Sequence, residues 1–280
     1  MKLALVEHNG ARWIGVVTGD ALALAMRGAS MTDVIAHWPR DKATAEAALR
    51  SGERLSLARA KLLPPIPRPG KIFAIGLNYA DHIAESKMET PPHQVWFTKA
   101  ATSTNGPFDP ILIAKAGPLV DYEVELVAVI GKRGRNIAKA EAASHIFGYC
   151  VGNDVTERMW QHRTPQWSLG KSFDTHAPIG PWITTADEVA DPHALGLRCF
   201  VNGEKRQDSN TRHLVFNIWD QIEHLSQAMT LEPGDLIFTG TPGGVGAAMN
   251  PRQFLKAGDV VRCEIDGLGA IEAPLTAEAA

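Results

Sequence analysis

A mainly β, α+β fold is what this chain predicts, and three observations predict it. Its apolar runs are many and short, as strands are. Gly, Pro and Asp punctuate those runs at frequent intervals. Helical spacing over several turns stands out at Ile218, Ile222, Leu225 and Met229. Many short strands with few long helices argue a sandwich or barrel.

The chain has 280 residues, which suits one large domain or a large one plus a small one. Hydrophobic residues make up 45%, enough for a sizeable core. The formal net charge is -3, so nothing points to nucleic acid or a membrane surface as partner. The three cysteines, Cys150, Cys199 and Cys263, are far apart and form no CxxC, which argues against a zinc cage or a disulfide framework. A cytoplasmic setting is the simplest expectation. The first apolar run breaks at Glu7, too early for a signal peptide, and no run is long enough for a transmembrane helix.

In order, residues 3–6, 12–18 and 21–24 read as strands joined by the turn signals Asn9-Gly10 and Gly19-Asp20. Ser30 or Thr32 is placed to cap a helix through Val34-Ile-Ala, and Asp41 to Leu49 is a second helix. Residues 62–70 are proline-dense and read as a stiff linker. A small N-terminal αβ domain is therefore expected over 1–66 and the main domain over 70–280. The main domain opens with a strand at 71–76. A loop entering a helix follows at 77–86, closed by Pro91-Pro92, and then strands at 95–99 and 111–113. Ile137 to Ser144 looks helical, and 146–151 is a strand running into Gly152-Asn-Asp154. Further strands are expected at 195–201, 236–239, 259–265 and 270–273.

Chemistry concentrates at Asp121-Tyr-Glu-Val-Glu-Leu126, read as the start of a strand that continues through the apolar run 127–130. Side chains two apart on a strand share a face, so Glu123 and Glu125 project together. Two carboxylates ~5 Å apart repel by roughly 3 kcal/mol at an effective dielectric near 20. They need a cation, a shared proton or open solvent. Asp154, just past a strand end, is the natural third oxygen ligand for Mg²⁺ or Mn²⁺. The plainer alternative is a solvated strand face with Asp154 in a turn.

His82 and Glu85 are three apart on the expected helix, a spacing that suits a general-base pair or an ordinary exposed pair. Lys171, between Gly170 and Ser172, is placed to stabilise a developing oxyanion or to sit on the surface. Arg158 and Gln161 follow Asp154 by four and seven residues and would share a helical face, for a substrate carboxylate or a surface salt bridge. The glycine-rich run 238–246 lacks the endings of a phosphate-binding loop and reads as backbone near a small ligand, with Thr241 as a donor. There is no nucleophile elbow.

Taken in order, eight segments resemble the fumarylacetoacetate hydrolase family: 76–82, 97–99, 106–111, 121–126, 152–158, 170–175, 201–204 and 234–246. The resemblance implies a mixed β-sandwich roll, a homodimer, and Mg²⁺ or Mn²⁺ held by Glu123, Glu125 and Asp154. It implies a water-activating pair in His82 and Glu85 on a lid, an oxyanion role for Lys171, and substrate contacts from Arg158, Gln161 and Thr241. His176 and Gln166-Trp167 depart from the family pattern. The expected reaction is hydrolysis of a C–C bond in a 2,4-diketo acid (an acylpyruvate, including sugar-derived ones such as 2,4-diketo-3-deoxy-rhamnonate) to pyruvate and a carboxylic acid. The same enolate chemistry serves an oxaloacetate decarboxylase or a 2-hydroxy-dienoate isomerase or tautomerase, which stand as the alternative. A non-catalytic ligand-binding protein is the outside reading.

Overall fold

The computed structural model describes residues 1–85 and 89–279. Strands dominate it, as the short apolar runs require. The chain opens with a meander, Lys2–His8, Ala11–Thr18 and Ala21–Arg27, followed by helices Met31–Ala36 and Trp38–Ser51. The expected linker is structured at its start: Lys61–Leu63 pairs antiparallel with Lys2–His8. Two aliphatic side chains there outweigh the prolines that follow. The helix expected over 77–86 is formed at Ala80–Glu85, and its continuation lies outside the described residues.

A large sheet runs through the molecule. From one edge it is Arg54–Ser56, the three-stranded meander, Ala177–Thr185, Ile146–Asn153, Val124–Ile130, Leu236–Phe238, Ile72–Gly76 and Val95–Thr98. Lys2 and Leu3 pair with Thr184 and Ile183, so the N-terminal strands extend the sheet of the main domain. A second sheet of five strands orders as Glu204–Asn210, Gly196–Val201, Val260–Ile265, Gly269–Ala277 and Ile111–Ile113.

The strand Val124–Ile130, inside the large sheet, is buried along its whole length. Its side chains alternate. Leu126, Ala128 and Ile130 join a core that includes Leu197, Cys199, Val261 and Cys263 of the second sheet. Val127 and Val129 join a core that includes Leu3, Leu5, Met31, Val34 and Ile35 of the N-terminal segment. A strand covered on both faces reads as a continuous apolar run, which is how it is written. Fully burying such a side chain contributes on the order of 2 kcal/mol. The strand is thereby a rigid mount for whatever its first residues carry.

The expectation of one continuous strand from Asp121 is corrected. Val120–Asp121 pairs instead with Thr156–Glu157 in a small ladder of its own, and the large-sheet strand begins at Val124. Tyr122 and Glu123 form the joint. The expected helix at 137–144 is a 3₁₀ segment, Lys139–His145. Ile218–Ala228 is helical, with Asn217 and Asp220 forming a capping box.

Candidate active site

The joint between the two ladders does the work of assembly. Glu123 N–H donates to the Asn153 side-chain carbonyl at 3.0 Å, and Asp154 N–H donates to the Glu123 carbonyl at 2.9 Å. These bonds set the end of one strand against the start of the other. Glu123, Glu125 and Asp154 consequently offer carboxylate oxygens within 4.8 Å of one another, all three buried.

Buried carboxylates need partners. Lys171 Nζ donates to Glu123 at 2.7 Å and to Asp154 at 2.6 Å. Lys99 Nζ donates to the other Asp154 oxygen. Arg158 pairs with Glu123 at 2.7 Å and, on its other edge, with Asp121 at 2.8 Å. Glu125 has no cation among the described residues. It accepts a single backbone N–H, from Gly240 at 2.7 Å. Gly240 sits at φ +103°, a conformation that costs an L side chain dearly, so glycine lets that N–H aim inward.

The electrostatics follow this asymmetry. Burial works against the Glu123 carboxylate, but Lys171 and Arg158 outweigh it and hold the group down to about 2. Burial, and then the charges of Asp154 and Glu123, push the Glu125 carboxyl well above the usual range. Burial opposes the Lys171 charge too, yet Asp154 and Glu123 keep its ammonium above the usual lysine value. Burial, with Lys171 close by, lowers Lys99. A hard divalent cation fits this donor set: three oxygen ligands, no sulfur or imidazole, and one carboxylate left without a counter-charge.

A cavity of about 800 Å³ opens onto the cluster, and His82, Glu85, Glu123, Glu125, Arg158 and Lys171 all line it. His82 Nδ1 bonds Glu85 at 2.8 Å, and the second Glu85 oxygen accepts Gly244 N–H at 2.8 Å. Arg158 and Gln161 do lie on one short helix, Arg158–Gln161, with the arginine donating to the Gln161 side-chain Oε1 at 3.0 Å. The Gln161 amide NH₂ remains for a ligand. Thr241 lines the cavity, but its hydroxyl proton is given to the Val124 carbonyl at 2.9 Å and its oxygen accepts from Gln207 at 2.8 Å.

The glycine-rich run, expected to meet a ligand with its backbone, first serves the protein's own acids. Gly240, Gly244 and Gly246 donate to Glu125, Glu85 and Asp121. Three participants escape a reading of the sequence. Lys99 ends an apolar strand, a weak sign that its charge is buried. Asp121 is masked by its neighbours' stronger pattern. Gln207, fully buried and bonded to Val124 N–H, Thr241 and Pro242, sits in a run that looks like a polar loop.

Comparison with known proteins agrees with this picture. Residues 71–276 match the model for the fumarylacetoacetate (FAA) hydrolase C-terminal family. An oxaloacetate tautomerase, fahd2, of Xenopus laevis is 49% identical over 235 residues, 83% of this chain and 74% of that protein. The human oxaloacetate tautomerase FAHD2A is 44% identical over 236 residues, 81% of this chain and 75% of that one. Both are named as mitochondrial. Among solved structures, a fumarylacetoacetate hydrolase from Exiguobacterium antarcticum superposes with a TM-score of 0.90 at 36% identity, covering 99% of this chain and 100% of that one. A maleylpyruvate hydrolase from Sphingobium sp. SYK-6, in complex with manganese (II) ion and pyruvate, gives 0.85 at 34% identity with 100% of each chain covered. The chain belongs to the fumarylacetoacetate hydrolase family.

Proposed function

We propose that this member of the family is a divalent-cation-dependent enzyme of 2-oxo acids that interconverts the keto and enol forms of oxaloacetate. The sequence puts C–C hydrolysis first, and oxaloacetate decarboxylation or 2-hydroxy-dienoate isomerisation or tautomerisation second; the relatives at 44% and 49% identity, both oxaloacetate tautomerases, support the second over the first. The single observation that carries the reading is the buried trio Glu123, Glu125 and Asp154, two of whose members, Glu123 and Glu125, line the same cavity as the His82–Glu85 pair.

The C3 protons of oxaloacetate are acidic because the carbanion left by their removal is an enolate, with its charge on the C2 oxygen. Glu123, Glu125 and Asp154 would hold Mg²⁺ or Mn²⁺, which supplies Lewis acidity to the 2-oxo and carboxylate oxygens when bound. His82 takes the proton at C3 and returns it in the reverse direction. Glu85, bonded to Nδ1, fixes the ring's orientation and stabilises the imidazolium. Of the three Lys171 N–H donors, two are given to Glu123 and Asp154, leaving one for the C2 oxygen. That N–H delivers the proton that makes the enol, and the imidazolium restores it through solvent.

The test follows the ultraviolet absorbance of the enol with Mg²⁺ present while pyruvate is assayed in the same tube. Accelerated loss of the enol signal without matching pyruvate is expected. Stoichiometric pyruvate from an acylpyruvate, with no acceleration of the enol decay, would overturn the proposal. It would favour the second reading, hydrolysis, which the maleylpyruvate hydrolase neighbour supports. There the same His82–Glu85 pair would deprotonate a water instead of C3.

A further inference from the structure

We infer that Arg252 is a specificity-determining residue that receives the distal carboxylate of a dicarboxylic 2-oxo acid. This rests on the proposal that the cavity binds a 2-oxo acid, and adds which acids it prefers. Arg252 lines the same cavity as Glu123 and Glu125 of the carboxylate trio. The other two full cations lining it are paired with the protein's own carboxylates: Arg158 with Asp121 and Glu123, Lys171 with Glu123 and Asp154. Among the described residues, no carboxylate lies within 4.0 Å of the Arg252 guanidinium. It is an exposed cation facing the cavity with its five N–H donors free for a ligand.

The segment that presents Arg252 is tied down on both sides. Gly246 N–H and Ala247 N–H each donate to Asp121 at 2.9 Å, and Gln253 N–H donates to the Gly246 carbonyl at 3.0 Å. Leu255 N–H donates to the Val120 carbonyl at 2.8 Å, and Arg206 donates to the Gln253 side chain at 2.6 Å. Asp121 also holds Arg158, so one carboxylate sets the backbone of this segment relative to the inner end of the cavity. Burial first, then the charges of Arg158, Arg252 and Lys171, lower His162, which lines the same cavity. A substrate with its 2-oxo acid head at the trio therefore shares the cavity with an arginine whose backbone is fixed and whose guanidinium is uncommitted. Asn250 beside it adds a neutral donor.

The experiment measures binding by calorimetry to the Mg²⁺-loaded protein, so turnover is not the readout. Two diacids, oxaloacetate and 2-oxoglutarate, are each compared with the monoester in which only the distal carboxyl is methylated. At least one diacid is expected to bind about tenfold or more tightly than its ester, the strength of a charge-assisted bond at an accessible site. Arg252→Gln should erase that preference and leave the ester's affinity as it was. Arg163→Gln, which removes an exposed arginine stacked on Trp160 at 4.1 Å, controls for the general field and should preserve the preference. Equal binding of acid and ester in the parent protein would overturn the assignment. So would a preference that survives Arg252→Gln, or one lost equally in Arg163→Gln. If neither acid nor ester binds, the 2-oxo acid reading itself fails; acid and ester binding alike defeats the Arg252 assignment alone.

Discussion

His176 shows how much one side chain can tie stability to pH. Its ring is fully buried, stacked on Phe173 at 5.4 Å, with Nε2 donating to the Leu112 carbonyl at 2.9 Å and Nδ1 without a hydrogen-bond partner in the protein. Burial foremost, with Lys99 adding to it, lowers the imidazole to about 4. The native protein therefore holds this ring neutral over a range where the unfolded chain, with its histidine near 6.5, takes up a proton. The unfolded state binds more protons in that window, so stability is intact above about 6.5 and falls as the pH drops toward about 4. The span of roughly 2.5 units corresponds to about 3 kcal/mol. His176→Gln keeps an amide donor within reach of Leu112 and removes the titration. Denaturant melts at pH 7 and pH 4, with a chelator in both, should show the parent losing about 3 kcal/mol more than the variant. Parallel losses would mean that the ring is protonated without penalty.

At the scale of elements, the helix Ala80–Glu85 is too short to persist alone and depends on what it touches. Ile83 is buried, Ser209 donates to Asp81 at 3.2 Å, and Glu85 accepts Gly244 N–H at 2.8 Å. Gly244 is at φ +102°, and a Cβ there would meet the Arg206 carbonyl oxygen at 2.1 Å, so the loop holds that N–H by having no side chain. Glu85→Gln retains an acceptor for Gly244 and deprives the His82 imidazolium of its counter-charge. A fall in kcat of about 10² to 10⁴ is expected, with Mg²⁺ affinity by calorimetry unchanged. Unaltered turnover would remove His82 and Glu85 from the chemistry.

The same scale explains what a reader of the sequence can and cannot see. Val124–Ile130 and Ile146–Asn153 announce themselves because burial on both faces demands a nearly continuous apolar run, broken only by Glu125 and Asn153 at the ends that face the site. Ala177–Thr185 hides because Pro178, Gly180 and Pro181 read as turns, and only its pairing on both sides makes it a strand. Glu204–Asn210 has no apolar alternation at all; it is held by backbone bonds to Gly196–Val201 at the sheet edge. In the site, the acidic spacing at Glu123 and Glu125 is local and visible. Lys99 and Gln207 acquire their roles from partners 55 and 83 residues away, and nothing in their own neighbourhoods records it.

For the molecule as a whole, the site and the N-terminal segment hang on one sheet. Asp154 follows directly on the strand Ile146–Asn153, which pairs with Ala177–Thr185, which pairs in turn with Lys2–His8. Leu3, Leu5, Met31 and Ile35 share a core with Val127, Val129 and Cys150. A cation bound at Glu123, Glu125 and Asp154 binds only the folded arrangement, because the three come together through long-range pairing. Its stabilisation is then RT ln(1 + [L]/Kd), about 2.7 kcal/mol at a hundredfold excess over Kd. For a chain of this size, that is a rise in Tm of about 5 °C. Because strand pairing and core are continuous across residues 1–66 and the rest, the rise should appear in a single calorimetric transition, whichever of Mg²⁺ or Mn²⁺ is used. Glu125→Gln, which removes the ligand that lacks a cation of its own, should cut the shift to a small fraction while leaving one transition. A melt that splits in two, with a first step indifferent to the metal, would show that the N-terminal strands unfold apart from the site. A metal shift that persists undiminished in Glu125→Gln would place the ion somewhere other than this trio.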